Sequence, residues 1–135
     1  MSFEEISHTA DVKIRARAGT LEELFSDAFE ALMQVMYGLD RKAGEKREIR
    51  VEANDVESLL ADFLSEVLFL SEVDGLVFSH VDVRIDGHHL SAILEGEPFD
   101  RSRHSSGTEV KGISYSGLSI LHNANGYMMD IIFDV

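Results

Sequence analysis

Two short stretches at opposite ends of the chain carry the residue types that could do chemistry. Near the start, HTAD (His8 to Asp11) puts an imidazole, a hydroxyl and a carboxylate side by side, just ahead of an alternating run, VKIRARA. At the other end MMDIIFDV places Asp134 immediately before Val135, with the terminal carboxylate on Val135. An aspartate thus starts one expected strand and another ends one. If those strands are antiparallel neighbours, the two carboxylates converge. Clustered carboxylate oxygens with no sulfur nearby suit a hard cation, calcium or magnesium. The plainer reading is a capped turn at Asp11 and a solvated strand end at Asp134, and spacing alone favours it.

A second concentration lies in GEPFDRSRHSSGTEVK, Gly96 to Lys111, where Glu97, Asp100, His104, Glu109 and Lys111 share a glycine-bearing loop and the strand expected after it. Long polar loops in compact domains are often functional. Lys111 could meet the clustered acids, a phosphate or a partner carboxylate; the plain alternative is a surface ion pair, which is worth little. Other chemistries lack their residues. There is no cysteine, so disulfides, thiolate zinc sites and a cysteine nucleophile are excluded. No serine sits in a nucleophile elbow, and no phosphate loop or dinucleotide fingerprint is present. His88 and His89 are adjacent in an expected strand and point to opposite faces, which is unsuited to a shared metal.

The elements that must position these residues follow from periodicity. In VKIRARA, Val12, Ile14, Ala16 and Ala18 share one face and Lys13, Arg15 and Arg17 the other, a half-buried strand. Thr20 with Glu23 fits a capping box ahead of a helix whose stripe is Leu21, Leu24, Phe25, Ala28, Leu32, Val35 and Met36, ended by Gly38. REIRVEA is a strand with Ile49, Val51 and Ala53 inward. Asn54 with Glu57 is expected to cap a second helix with the stripe Val56, Leu59, Leu60, Phe63, Leu64, Val67 and Leu68, ended near Gly75. From Val77 the period is two. HVDVRI, Asp86–Gly87 and HLSAILEG form a hairpin. TEVKGISY, GLSILH and YMMDIIFDV follow as strands, with a turn at NANG. Tyr127, Met129, Ile131, Phe133 and Val135 share one face of the last strand; Met128, Asp130, Ile132 and Asp134 share the other. The order β-α-β-α followed by successive strands predicts an α+β single domain over residues 1–135, two amphipathic helices on one face of a mostly antiparallel sheet.

A chain of 135 residues with 44% hydrophobic residues can bury a core of its own. No apolar run approaches the ~20 residues of a membrane span, and the start has no signal-peptide pattern, so the simplest expected location is cytoplasmic. The net charge of −13 opposes broad binding to a phosphate backbone and favours cations or basic protein surfaces, besides keeping the chain soluble.

Taken together, EEISHTADVKI, GTLEELFSDAFEALMQVM, DGLVF, GEPFDRSRHSSGTEVKGISY and the final IIFDV resemble the archease family over essentially the whole chain. GTEVK after GEPFD together with the final FDV is the specific combination. The resemblance implies a non-enzymatic activator of the RtcB-type tRNA-splicing RNA ligase, an enzyme that joins RNA ends through a guanylylated histidine of its own. The activator promotes that guanylylation, allows multiple turnover and broadens nucleotide triphosphate use. A looser family role is chaperone or modulator of DNA- or RNA-processing proteins.

Carried onto this sequence, the resemblance implies a metal site at Asp11, Asp134 and Val135 with Ca2+, Mg2+ being the alternative, and an activity role for Lys111. Glu109 and His104 are further candidates for partner contact, and His8 and Thr9 for orienting Asp11. Calcium takes about 6–8 oxygens, more than two aspartates and a chain end supply, so the site is expected to be open and completed by water, a partner or a nucleotide phosphate. Two other classes remain at this point: a metal-dependent hydrolase or phosphotransferase using Asp11, Asp134 and Lys111, and a chaperone using an acidic face. The expected state is a monomer that contacts neither membrane nor nucleic acid broadly.

Overall fold

The computed structural model describes residues 3–8 and 11–135, residues 5–8 by backbone alone. The alternating run becomes strand β2 (Asp11–Ala18), with Ile14 and Ala16 buried and Lys13 and Arg17 exposed. Ahead of it lies a strand with no clear signal in the sequence, β1 (Phe3–His8), paired antiparallel to β2.

Helix α1 (Leu21–Tyr37) starts where Thr20 accepts a hydrogen bond from the Glu23 N–H at 3.2 Å. It stops at Gly38, whose φ of 86° disfavours any residue with a Cβ. After β3 (Glu45–Glu52), helix α2 (Val56–Asp74) is capped by Asp55, one residue later than expected. The Asp55 carboxylate accepts from Ser58 N–H at 2.7 Å and adds a negative charge at the positive end of the helix. Then come β4 (Leu76–Asp86), β5 (His89–Pro98), a one-turn helix α3 (Arg101–His104), β6 (Gly112–Asn123) and β7 (Gly126–Asp134).

The α+β class and the antiparallel pairing are as expected, but the strands form two sheets. One has the order β1-β2-β7-β6 and the other β3-β5-β4. Each helix touches both: α1 meets β2 and β7 on one side and β4 on the other, and α2 meets β6 and β3. This explains why α1 is buried over much of its circumference, with Ala31 and Met33 inside as well as the stripe of Leu24, Phe25, Ala28 and Leu32. A helix covered on two sides needs more than one apolar stripe. The core gathers Phe25, Phe29 and Phe63 from the helices with Phe78 and Phe133 from the two sheets.

In β6 the two expected strands TEVKGISY and GLSILH merge into one. Residues 108–111 lie ahead of it, outside the strand. The ladder to β7 is interrupted between Ser114, opposite Ile132, and Ser119, opposite Asp130. Residues 115–118 therefore arch out of the sheet, with Gly117 at a φ of 76°.

Candidate metal and partner-contact site

Strands β2 and β7 run antiparallel in unbroken register from Asp11 opposite Asp134 to Ala18 opposite Tyr127. Side chains alternate across a strand and register partners share a face. Phe133, Ile131 and Met129 point into the core and are buried. Asp11, Asp134, Lys13, Arg15 and Asp130 consequently share the outer face of this sheet. The sequence expectation that the two aspartates converge is met by the register itself. Both residues are half-buried.

Lys111 joins them through its backbone. Its N–H donates to the Asp134 carbonyl at 2.7 Å, and the next residue, Gly112, is the register partner of Asp134 in β6. Four residues of GTEVK, all but Glu109, contribute to that placement. A Cβ on Gly107 would come within 2.0 Å of the Met36 carbonyl oxygen, so only glycine lets the loop pass the end of α1. Thr108 N–H donates to the Val35 carbonyl at 2.8 Å. Val110 is fully buried. Glu109 and Lys111, on either side of it, are left exposed.

The loop ahead of this segment is held by a second cluster. The Glu97 carboxylate accepts from Arg103 Nη1 at 2.9 Å and from the Lys42 backbone N–H at 2.9 Å. It also meets His104 Nε2 at 3.2 Å. The hydrogen bond from Arg103 is the largest influence on Glu97 and holds its carboxyl at about 2, against the opposing effect of desolvation. His104 is 1% exposed, its Nδ1 accepts from Asp100 N–H at 2.9 Å, and its ring lies against Tyr37 and Phe99. This corrects the expectation of a partner contact: a buried imidazole with both nitrogens engaged braces the loop and has no surface to offer. Arg103, which ties the cluster together, was not singled out by sequence reasoning; its only signal was a cation in a loop rich in acids.

Of the remaining expected residues, Val135 is half-buried with its side chain packed against the core. Thr9 lies outside the described residues, as does the side chain of His8; the His8 backbone pairs with Val12 at the end of β1.

The donor set can be weighed for a cation. Two carboxylates in register on one sheet face repel each other unless a positive charge neutralises them. Among the described residues, no cluster of three or more His, Asp or Glu side chains is arranged to hold a metal. Asp11 and Asp134 by themselves supply two carboxylates at this end of the sheet, several oxygens short of a full calcium shell.

On the outer face, one step from Lys13, the Arg15 guanidinium grips Asp130 through two hydrogen bonds of 2.7 and 3.0 Å. This pair keeps Asp130 charged, and its carboxyl pKa is lowered chiefly by the Arg15 hydrogen bond. With Asp130 occupied by Arg15, the acidic end of the face is confined to Asp11 and Asp134.

Comparison with known proteins gives a consistent picture. The model of the Archease protein family matches residues 3–135. The chain is 34% identical to the protein archease of Methanopyrus kandleri, with both chains covered completely. It is 36% identical to that of Pyrococcus abyssi, with 98% of each covered. The solution structure of a Methanobacterium thermoautotrophicum protein superposes with a TM-score of 0.86 at 31% identity, covering 99% of both chains. An archease from Thermotoga maritima, described as a possible chaperone, shares the fold at a TM-score of 0.68 and 20% identity, covering 98% of this chain and 96% of that one. With the family matched from Phe3 to Val135 and both ends of its sequence brought together by the β2–β7 ladder, this chain belongs to the Archease protein family.

Proposed function

We propose that this protein is a non-enzymatic activator of an RtcB-type tRNA-splicing RNA ligase, acting in the cytoplasm to promote guanylylation of the ligase and its multiple turnover. The observation that carries the reading is the meeting of Asp11, Asp134 and the Lys111 backbone at one end of the outer sheet, in a chain of the archease family. Asp11, Asp134 and a main-chain oxygen of Val135 would hold a divalent cation, Ca2+ in the first instance. The ion would supply positive charge for a phosphate or carboxylate oxygen of the partner complex. Lys111 and Glu109 are exposed and free to contact the partner, Lys111 as the cation next to a developing or transferred phosphate.

The activator reading is preferred to a hydrolase or phosphotransferase because the described residues offer this end no buried acid–base pair. Among the described residues, the one buried histidine, His104, is engaged in bracing the loop. The proposal is tested by following guanylylation of the matching ligase with and without this protein, comparing wild type, Asp134→Ala and Lys111→Ala. Acceleration by wild type alone supports it. Nucleotide turnover by the purified protein without the ligase would replace it with the enzymatic reading.

A further inference from the structure

Helix α2 turns its buried residues, from Leu59 to Ser71, toward the sheets. Its opposite side carries Asp62, Glu66, Phe69 and Val73, spaced three or four apart on one stripe. Phe69 is 57% exposed and Val73 62% exposed, toward the C-terminal end of a helix face that nothing covers among the described residues. Large apolar side chains side by side on a solvent face are a signature of contact. The rest of the helix surface is acidic. Glu57, Asp62, Glu66, Glu72 and Asp74 are its only charged residues, and Lys and Arg are absent from it. In the last turn this places Glu72 and Asp74 at the negative end of the helix dipole, which is locally unfavourable; for Asp74 the cost is offset by its ion pair with Arg47 of β3 at 2.8 Å.

Strand β6 adds a third apolar group at the Asp62 end of the stripe, about two turns before Phe69. The arch at residues 115–118 brings Tyr115 out of the ladder, and its hydroxyl donates to the Asp62 carboxylate at 2.6 Å. Its ring stays 58% exposed. Tyr115 is four residues from Lys111 along extended chain, about 13 Å at strand rise. The end of the sheet where Lys111 meets Asp134 therefore lies within about four residues of chain from Tyr115.

We infer that Tyr115, Phe69 and Val73, ringed by the acids of α2, form a docking surface for a basic protein segment that inserts apolar side chains between flanking Lys or Arg residues. Charge complementarity selects this occupant: an acidic rim around an apolar centre repels nucleic acid and attracts a basic amphipathic segment. In the activator reading, on which this placement of the partner rests, that segment belongs to the ligase. Docking on α2 then sets how tightly the partner is held, while the Asp11–Asp134–Lys111 end sets what happens once it is bound.

The test has two arms. In the first, the full chain is titrated with a synthetic helical peptide of Lys and Leu at amphipathic spacing and followed by amide chemical shifts. Expected are changes confined to α2 and residues 112–118, weakened by salt and lost in Phe69→Ser and in Glu66→Lys/Glu72→Lys, both exposed positions that leave the fold intact. Changes spread over the acidic surface, or unaltered in these variants, overturn the docking surface. In the second arm, ligase guanylylation is measured against the concentration of this protein. Phe69→Ser is expected to raise the half-saturating concentration about tenfold or more with the plateau unchanged, whereas Asp134→Ala lowers the plateau. A Phe69→Ser curve that overlays wild type also overturns the assignment. If wild type does not activate the ligase at all, the activator reading fails while the peptide arm still decides the surface.

Discussion

Asp11 and Asp134 are register partners at the open end of the β2–β7 ladder, and the carbonyl of Asp134 is at the same time the acceptor for the Lys111 N–H. One residue thus joins three distant segments: the start of β2, the end of β7 and the GTEVK loop. Two carboxylates and one lysine are fixed by backbone hydrogen bonds, which do not depend on the side chains that would do the chemistry.

That separation makes Lys111→Ala and Gly107→Ala behave in opposite ways. Lys111→Ala keeps the N–H bond to Asp134 and removes only an exposed side chain, so stability should change by less than about 0.5 kcal/mol. Gly107→Ala drives a methyl into the Met36 carbonyl and should cost about 1–3 kcal/mol. Thermal unfolding of the two variants checks this. Equal Tm values would mean that the loop is not threaded past α1 as described.

Calcium should bind weakly to the protein alone. With two carboxylates and few further ligands, a dissociation constant of about 10⁻⁴–10⁻³ M is expected. Ten millimolar calcium should then stabilise the fold by about 1–3 kcal/mol, and chelator should reverse it. Asp11→Asn and Asp134→Asn should each abolish the shift. A calcium response retained in both variants would place the ion elsewhere.

Glu97 should shape the acid limb of stability. Its folded carboxyl titrates at about 2, below the ordinary carboxylate value of 4.5. A depressed folded pKa gives stability that is fully present above the unfolded value and is lost as pH falls through the folded one. Unfolding free energy should therefore drop between about pH 4.5 and pH 2, and Glu97→Gln should flatten this drop at a cost on the order of 2 kcal/mol at neutral pH. Denaturant titrations at pH 7, 4 and 3 measure it; a variant with the same pH slope as wild type would exclude Glu97 from that limb.

His104→Ala should unfold more easily, by about 2–4 kcal/mol, because it empties a buried site and strands the Asp100 N–H and part of Glu97. Any loss of ligase activation should follow that destabilisation and recover at lower temperature. Full stability with lost activation would restore His104 as a direct contact.

Much of this protein was legible in its residues. Period-two and helical spacing located β2, both long helices and the β4–β5 hairpin, because each is a local pattern set by one buried face. Thr20 and Gly38 marked the ends of α1 for equally local reasons. The pairing of aspartates was legible only as a condition, since it required two strands more than a hundred residues apart to be neighbours. The division into two sheets, the burial of α1 on two sides and the arch carrying Tyr115 onto α2 depend on which strands pair at long range, and no local period encodes that. The same holds for His104. In sequence it is a polar residue in a polar loop, and only the closure of that loop over Tyr37 and Phe99, with Arg103 and Glu97 locked across it, turns it into a buried brace.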